Sequence, residues 1–429
     1  MTSFFANIAN LRRACIFTGT NSLAEVLVAF KSLVFGRNYQ DQSIITRYES
    51  LFAETVGSKY AFSFGSGRMA LYAILCALDI ANGDEIIVPA FTCVVVPNAM
   101  IYRGVTPIYV DIDPKTFNID VSQIESRITP YTKAIYAQHT FGFPCDIEAI
   151  KLIAKKYNLY IIEDAAHSLG GHYFSSDKLP IGSDPDIHAT FYTTDHSKVI
   201  STYLGGMVTS SNLQLSEKLK TFYKTVPYLD RPRVKKILFS FIIEFIYTHP
   251  FLFSIGRYIH SILSRLEILS SFRDELLTTK PTSYPYPCRL SSPQASIGIS
   301  QLNNLASLIN HRNHISSYLN TIFPFYLPSY FSENRFTWLR FSFLTSDRNQ
   351  FLSQSKSFSD LGIWFTTIFS GREHHLEDVL YEPGSCPVAE YVAAHIVNIP
   401  THSRFLISDA ERFNTRFFRD LMLAPAIDD

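Results

Sequence analysis

Apolar positions near the start of the chain recur at three- and four-residue spacing, at Leu23, Val26, Leu27, Phe30 and Leu33, which predicts a helix. Residues 1–60 as a whole read as helical. From 61 to about 212 the pattern switches to short runs: Ile86-Ile-Val-Pro, Pro107-Ile-Tyr-Val-Asp, Lys133-Ala-Ile-Tyr-Ala-Gln and Leu159-Tyr-Ile-Ile-Glu-Asp, each β-branched or aromatic. Helix-type segments such as Met69–Leu78 and Ile147–Tyr157 lie between them, and Gly83-Asp84 and Asp113-Pro114 mark turns. Apolar strands alternating with helices predict a mainly parallel sheet covered on both faces.

Residues 213–280 break this rhythm. Ile237-Leu-Phe-Ser-Phe-Ile-Ile-Glu-Phe-Ile-Tyr is apolar, His249-Pro250 interrupts it, and the apolar character resumes through Leu269. Glu244 and Pro250 argue against a membrane-spanning helix, which needs about 20 uninterrupted apolar residues. Helical periodicity returns over Gln294–Leu308, followed by a mixed α/β tail. The expected division is a helical N-terminal extension (1–32), a large α/β domain (33–212), an apolar helical insert (213–280) and a smaller C-terminal α/β domain (281–429).

The 429 residues carry 38 Lys+Arg against 38 Asp+Glu, so no dominant basic field is available for nucleic acid. Charged residues make up 18% and hydrophobic ones 47%, which excludes disorder along the whole chain. Cysteines stand at 15, 76, 93, 145, 288 and 386, a spacing that fits neither a zinc site nor a disulfide framework. With no signal-peptide pattern in Met1-Thr-Ser-Phe-Phe-Ala, a cytoplasmic location is expected.

Three strings carry candidate chemistry. Phe64-Gly-Ser-Gly-Arg-Met-Ala-Leu puts small residues ahead of a helix, where backbone N–H groups and the helix N-terminus favour a phosphate. It also reads G-x-G-x-x-A, but the preceding residues look helical rather than extended, so an ordinary helix-start turn fits the local string equally. Asp164 follows an apolar strand, where parallel sheets carry their sites, and a carboxylate there can hold a protonated pyridine nitrogen. The local string fits a helix-capping Asp with a half-buried His167 just as well. Lys198 sits between hydroxyl residues and the strand entry Gly205-Gly206, a setting for a Schiff-base amine if desolvation lowers its pKa. An isolated loop lysine is ordinarily solvated. The order of loop, Asp and Lys on one α/β scaffold is what sets this one apart.

These strings, with Gly83-Asp-Glu-Ile-Ile-Val-Pro-Ala-Phe-Thr, Gly104-Val-Thr-Pro-Ile-Tyr-Val-Asp-Ile-Asp, His139-Thr-Phe-Gly, Glu163-Asp-Ala-Ala-His, Gln294-Ala-Ser-Ile-Gly298 and Cys386-Pro-Val-Ala-Glu, occur in one order. Together they resemble the DegT/StrS group of fold-type I pyridoxal-phosphate (PLP) aminotransferases acting on nucleotide-linked keto sugars. The resemblance runs from about residue 33 to 415, apart from the insert. It implies that 33–212 binds PLP, that Lys198 carries it and moves the proton, and that Asp164 partners the pyridinium nitrogen. It places His167 beside the ring hydroxyl, Gly67 and Arg68 in the phosphate cradle, and Thr193 where a phosphate-binding Ser is common. It further implies glutamate as amino donor, a homodimer with Arg289 near the other protomer's cofactor, and a role in surface polysaccharide synthesis.

Some positions depart from that pattern. Cys93 falls where an aromatic residue usually stacks on the ring, Pro287 where an Asn usually reaches the neighbouring subunit's phosphate, and Leu204 where an acidic residue usually precedes Gly-Gly. Two other readings stand beside the aminotransferase. Sugar dehydratases of the group carry His in place of the lysine, and His196 is two residues away, although Gly205 and Gly206 keep the lysine's spacing from Lys198. A non-catalytic docking protein on the same fold is the other. In the insert, Arg231, Arg233, Lys235 and Lys236 precede the 237–269 apolar segment, which reads either as a packed helical hairpin or as a peripheral contact with the inner membrane face.

Overall fold

The computed structural model describes residues 12–16, 19–174, 179–270, 273–323 and 336–423. Seven strands lie between residues 60 and 210: β1 (Tyr60–Phe64), β2 (Glu85–Pro89), β3 (Thr106–Val110), β4 (Thr132–Gln138), β5 (Tyr160–Asp164), β6 (Ala189–Thr193) and β7 (Gly206–Ser210). They form one sheet in the order β1-β7-β6-β5-β4-β2-β3. β3, β2, β4, β5 and β6 run parallel, and β7 runs antiparallel between β6 and β1. Alternate residues of each strand enter different cores. Ile86, Tyr136, Ile162 and Val208 pack in one, and Ile87, Ile135, Ile161 and Met207 in the other. Both faces are therefore buried, which is why these strands read as continuous apolar runs.

β1 corrects the expectation of helix ahead of Gly65. Its sequence Tyr-Ala-Phe-Ser-Phe has no β-branched residue, and pairing with β7 at the sheet edge makes it extended. The N-terminal stretch is likewise not helical throughout: Ala14–Cys15 pairs in parallel with Ser359–Asp360. Helix α1 (Leu23–Phe35) starts at a capping box in which the Ser22 hydroxyl accepts from the Ala24 N–H and the Glu25 carboxylate accepts from the Ser22 N–H. The expected boundary at 32/33 falls inside this helix. α2 (Gln42–Val56) and α3 (Gly67–Ala77) follow, and α4 (Ile147–Tyr157) leads into β5.

The insert contains α5 (Arg231–Tyr247) and α6 (Phe253–Arg265), with His249-Pro250 between them. α5 packs on α1 and buries Val234, Ile237, Leu238 and Phe241. α6 packs on α5 but leaves Ile255, Tyr258, Ile259 and Ile262 exposed. No helix among the described residues is long and apolar enough to cross a membrane.

α7 (Ser292–Asn303) lies against α2 and α1, so the start of the 281–429 stretch rests on the helices beside the sheet. Gly298 permits this approach, because a Cβ there would stand 2.4 Å from the Tyr48 ring. α8 (Leu305–Ile322) follows, and an antiparallel pair, β8 (Arg340–Leu344) with β9 (Ile396–Pro400), anchors the C-terminal part. One further ladder ties the two halves together: Phe369–Ser370 pairs in parallel with Thr92–Cys93.

Candidate active site

The sheet gathers the candidate residues at one edge. Asp164 ends β5 and Thr193 ends β6. Because β7 runs the other way, its first residue, Gly206, pairs at this edge with both Thr193 and Phe64, the last residue of β1. Sites of parallel sheets form at the carboxyl ends of the strands.

Lys198 is held in a loop closed on itself between β6 and β7. The Thr194 N–H donates to the Gly205 carbonyl at 2.8 Å, the Thr202 N–H to Thr194 at 2.9 Å, and the Thr194 and Thr202 hydroxyls meet at 2.7 Å. Two α7 glutamines pin this loop from outside. Gln294 donates to the Leu204 carbonyl at 2.6 Å, and Gln301 accepts from the Ser201 N–H and donates to the Ser201 carbonyl, each at 2.7 Å. Burial lowers the Lys198 pKa; Cys93, Asp195 and Asp164 favour the ammonium, and Arg340 opposes it. An amine disfavoured as ammonium is the form that attacks a carbonyl.

Asp164 is buried, and burial lifts its pKa, while the Tyr136 hydroxyl, the Ala166 N–H and the Lys198 ammonium pull it back down. A cation brought to this carboxylate would complete the compensation. His167 accepts at Nδ1 from the Phe141 N–H at 3.1 Å. Burial, with Lys198 and Arg340 nearby, keeps the ring neutral, so its proton lies on Nε2 and is available to an oxygen acceptor.

The phosphate cradle is built by close approach. A Cβ on Gly67 would sit 2.6 Å from the Thr193 Cβ, and one on Gly206 would sit 2.3 Å from the Ser66 carbonyl oxygen. A side chain at either place would overpack the cradle, at a typical cost of about 1–3 kcal/mol. Ser66 caps α3, accepting from the Met69 N–H, while the Gly67 and Arg68 N–H groups, in the first turn, have no intrahelical acceptor. Such a turn suits an anion. Burial works against the Arg68 charge, and Glu275, in an ion pair at 2.5 Å, together with Asp195, Tyr286 and Cys93 more than restores it. An incoming phosphate would share that guanidinium with Glu275. Cys93 donates its thiol to the Ser370 carbonyl at 3.5 Å; burial raises the thiol pKa, and Lys198 and Arg68 act against that.

Glycines a side chain would fill, orphan N–H groups, a buried carboxylate and a desolvated lysine at one sheet edge fit PLP. Sequence reasoning missed other residues of this cluster. The Trp364 ring centroid lies 5.5 Å from Lys198 Nζ, 5.6 Å from the His167 ring and 4.6 Å from Arg340 Cζ. Trp364 and Arg340 come from the C-terminal part, Glu275 from the insert's end and Tyr136 from inside β4. The one available signal was a charged residue inside the apolar run Leu339-Arg-Phe-Ser-Phe. His196, by contrast, turns towards the insert, with Nδ1 3.4 Å from Glu244 of α5. Arg289 is engaged within its own chain, donating to the Val226 carbonyl at 2.8 Å and lying over the Tyr223 ring.

Residues 25–229 and 265–416 match the DegT/DnrJ/EryC1/StrS aminotransferase family; α5 and nearly all of α6 fall in the gap. The GDP-perosamine synthase of Caulobacter vibrioides is 39% identical over 176 residues, 41% of this chain and 46% of that protein. The dTDP-3-amino-3,6-dideoxy-alpha-D-galactopyranose transaminase of Aneurinibacillus thermoaerophilus is 40% identical over 172 residues, 40% of this chain and 46% of that protein. The matches thus span less than half the length of these curated relatives. In fold, the chain resembles Helicobacter pylori PseC, an aminotransferase involved in pseudoaminic acid biosynthesis. The TM-score is 0.70 at 18% identity, covering 94% of this chain and 97% of that one. S. venezuelae DesV aligns with a TM-score of 0.69 at 21% identity, covering 95% and 96%.

Proposed function

This chain belongs to the DegT/DnrJ/EryC1/StrS aminotransferase family, and from that premise we propose that it is a PLP-dependent aminotransferase moving nitrogen from glutamate to a keto sugar carried on a nucleotide, for polysaccharide synthesis. The observation that carries this reading is Lys198, half-buried, its ammonium disfavoured by desolvation and favoured by Asp164 at the edge where β5 and β6 end. Bound PLP supplies an electron sink for the carbanion formed at the amino-bearing carbon. The chain's own groups do the rest. Lys198 Nζ takes and returns the proton at that carbon, and Asp164 keeps the pyridine nitrogen protonated. His167 Nε2–H donates to the ring oxygen, while Gly67, Arg68 and Thr193 hold the phosphate. Cys93 leaves room on the ring face, and Trp364 provides the aromatic surface beside Lys198. The dehydratase reading loses ground because His196 faces Glu244 rather than Asp164. A mass-spectrometric screen of nucleotide-linked keto sugars with glutamate tests the assignment: an amino sugar is expected with at least one, and no nitrogen transfer to any would overturn it.

We further propose that the enzyme is a homodimer docking peripherally on the inner membrane face through α6. In this helix Ile255, Tyr258, Ile259 and Ile262 are exposed, Arg257 and Arg265 are its only charges, and no acidic residue occurs from Phe253 to Arg265. An apolar face with a basic end suits anionic headgroups, Arg265 adding about 1 kcal/mol near such a surface while Arg257 is held by Asp360 at 3.0 Å. Deleting the insert would uncover α1, which α5 covers, so point changes are the better test. Ile255→Asp with Ile259→Asp is expected to abolish co-flotation with phosphatidylglycerol vesicles and leave turnover in solution unchanged. Equal flotation of both proteins, or of neither, would refute the docking.

A further inference from the structure

Glu275 is fully buried although it sits in a short turn, Arg273–Leu276, at the end of the insert. Two distant parts of the chain dock that turn. Asn98 Nδ2 donates to the Glu275 carbonyl at 3.1 Å and the Tyr102 hydroxyl to the Leu277 carbonyl at 2.6 Å, while Arg372 Nη2 donates to the Leu276 carbonyl at 3.1 Å. The carboxylate is thereby delivered to the start of α3. Its Oε1 accepts from the Tyr284 hydroxyl at 2.6 Å, and its Oε2 lies 2.5 Å from Arg68 Nε but accepts no hydrogen bond. The same Nε donates to Ser66 Oγ at 3.4 Å, and Ser66 caps α3. One guanidinium therefore joins a buried carboxylate to the turn whose Gly67 and Arg68 N–H groups suit an anion.

Burial raises the Glu275 pKa; Arg68 and the Tyr284 hydroxyl pull it back, and Asp274 in the same turn and Asp195 in the Lys198 loop push it up again. Burial and then the Glu275 charge hold Tyr102, Tyr286 and Cys288 in their neutral forms. Asp195 keeps 29% side-chain exposure, whereas Glu275 keeps none, so a further negative charge weighs most on Glu275. A phosphate monoester brings about two negative charges at neutral pH. Beside an ionised Glu275 it would leave two anions on one guanidinium. We propose that Glu275 takes up a proton from solvent when a phosphate monoester enters the cradle, and so changes from a competing anion into a hydrogen-bond donor. The proposal rests on the reading of Gly67, Arg68 and Thr193 as the seat of the PLP phosphate. Oε1 stays with Tyr284, and Oε2, which lacks a hydrogen bond, carries the new O–H. Without the phosphate, the ionised carboxylate neutralises Arg68 instead, which spares the chain an uncompensated buried cation.

The test is calorimetry on the full chain, stripped of cofactor, with pyridoxamine 5′-phosphate and with pyridoxamine, in buffers of different ionisation heat so that bound protons are counted. Pyridoxamine lacks the phosphate and corrects for protons taken at the ring and its amine. At about pH 8 the phosphate-bearing probe is expected to take up about one proton more than pyridoxamine does, and its affinity to fall by up to about 10-fold per pH unit as pH rises. Glu275→Gln should lose the extra proton and that pH dependence. It should also bind pyridoxamine 5′-phosphate about 10-fold more tightly at this pH, since Arg68 then serves the phosphate alone. Equal proton counts for the two probes in the parent would overturn the proposal whatever the variant does. So would an extra proton that persists in Glu275→Gln, which would place it on the phosphate, or weaker binding by that variant, which would make Glu275 a prop for Arg68. A parent that takes up the proton but yields no Lys198 adduct with PLP and borohydride would leave this coupling standing and refute the aminotransferase reading instead.

Discussion

Lys198→Ala is expected to reduce nitrogen transfer by about four orders of magnitude, because one substitution removes both the covalent attachment and the proton carrier. The fold should survive. The loop around Lys198 is held by backbone hydrogen bonds, by the Thr194 and Thr202 hydroxyls, and by Gln294 and Gln301, none of which involves the lysine side chain. Loss of the half-buried amine also removes a desolvation cost, so the melting temperature should not fall. Borohydride treatment followed by peptide mapping checks the assignment. A PLP-modified lysine found elsewhere in the mutant would overturn it.

Asp164→Asn should keep the cofactor and lose about two to four orders of magnitude in turnover. The amide preserves shape but removes the charge that keeps the pyridine nitrogen protonated, and with it the sink for the carbanion. Its neighbours are suited to tolerate the change. The Ala166 N–H can still donate to the amide oxygen, and the Tyr136 hydroxyl can rotate to accept from the new NH2 group. Absorbance of the bound cofactor, compared with the parent at equal loading, separates lost chemistry from lost binding. Turnover near that of the parent enzyme would remove Asp164 from its role.

Much of the fold was legible because β2, β3, β4 and β5 are buried on both faces, so their β-branched and aromatic runs stand out between glycine and aspartate turns. β1 was not. It owes its conformation to pairing with β7, a contact about 145 residues away in the chain that no local propensity reports. The same division holds for the site. Gly67, Asp164 and Thr193 sit at a helix start or strand ends, with His167 and Lys198 in the loops that follow β5 and β6, where sequence pattern and chemistry coincide. Arg340, Trp364 and Glu275 reach the cluster only through tertiary packing. Glu275 in particular lies in a short turn at the end of the insert, with nothing around it in sequence to point towards Arg68.

That Trp364 and Arg340 come from so far along the chain also has a meaning for biogenesis. Every strand of the seven-stranded sheet has been translated by residue 210, so the sheet can form while the rest is still being made. At that stage the Lys198 amine has no indole beside it, and Thr92–Cys93 has no Phe369–Ser370 to pair with. The indole beside that amine arrives only when the last quarter of the polypeptide leaves the ribosome and folds back. A nascent chain therefore lacks the aromatic wall beside this lysine, and the complete site belongs to the finished molecule alone.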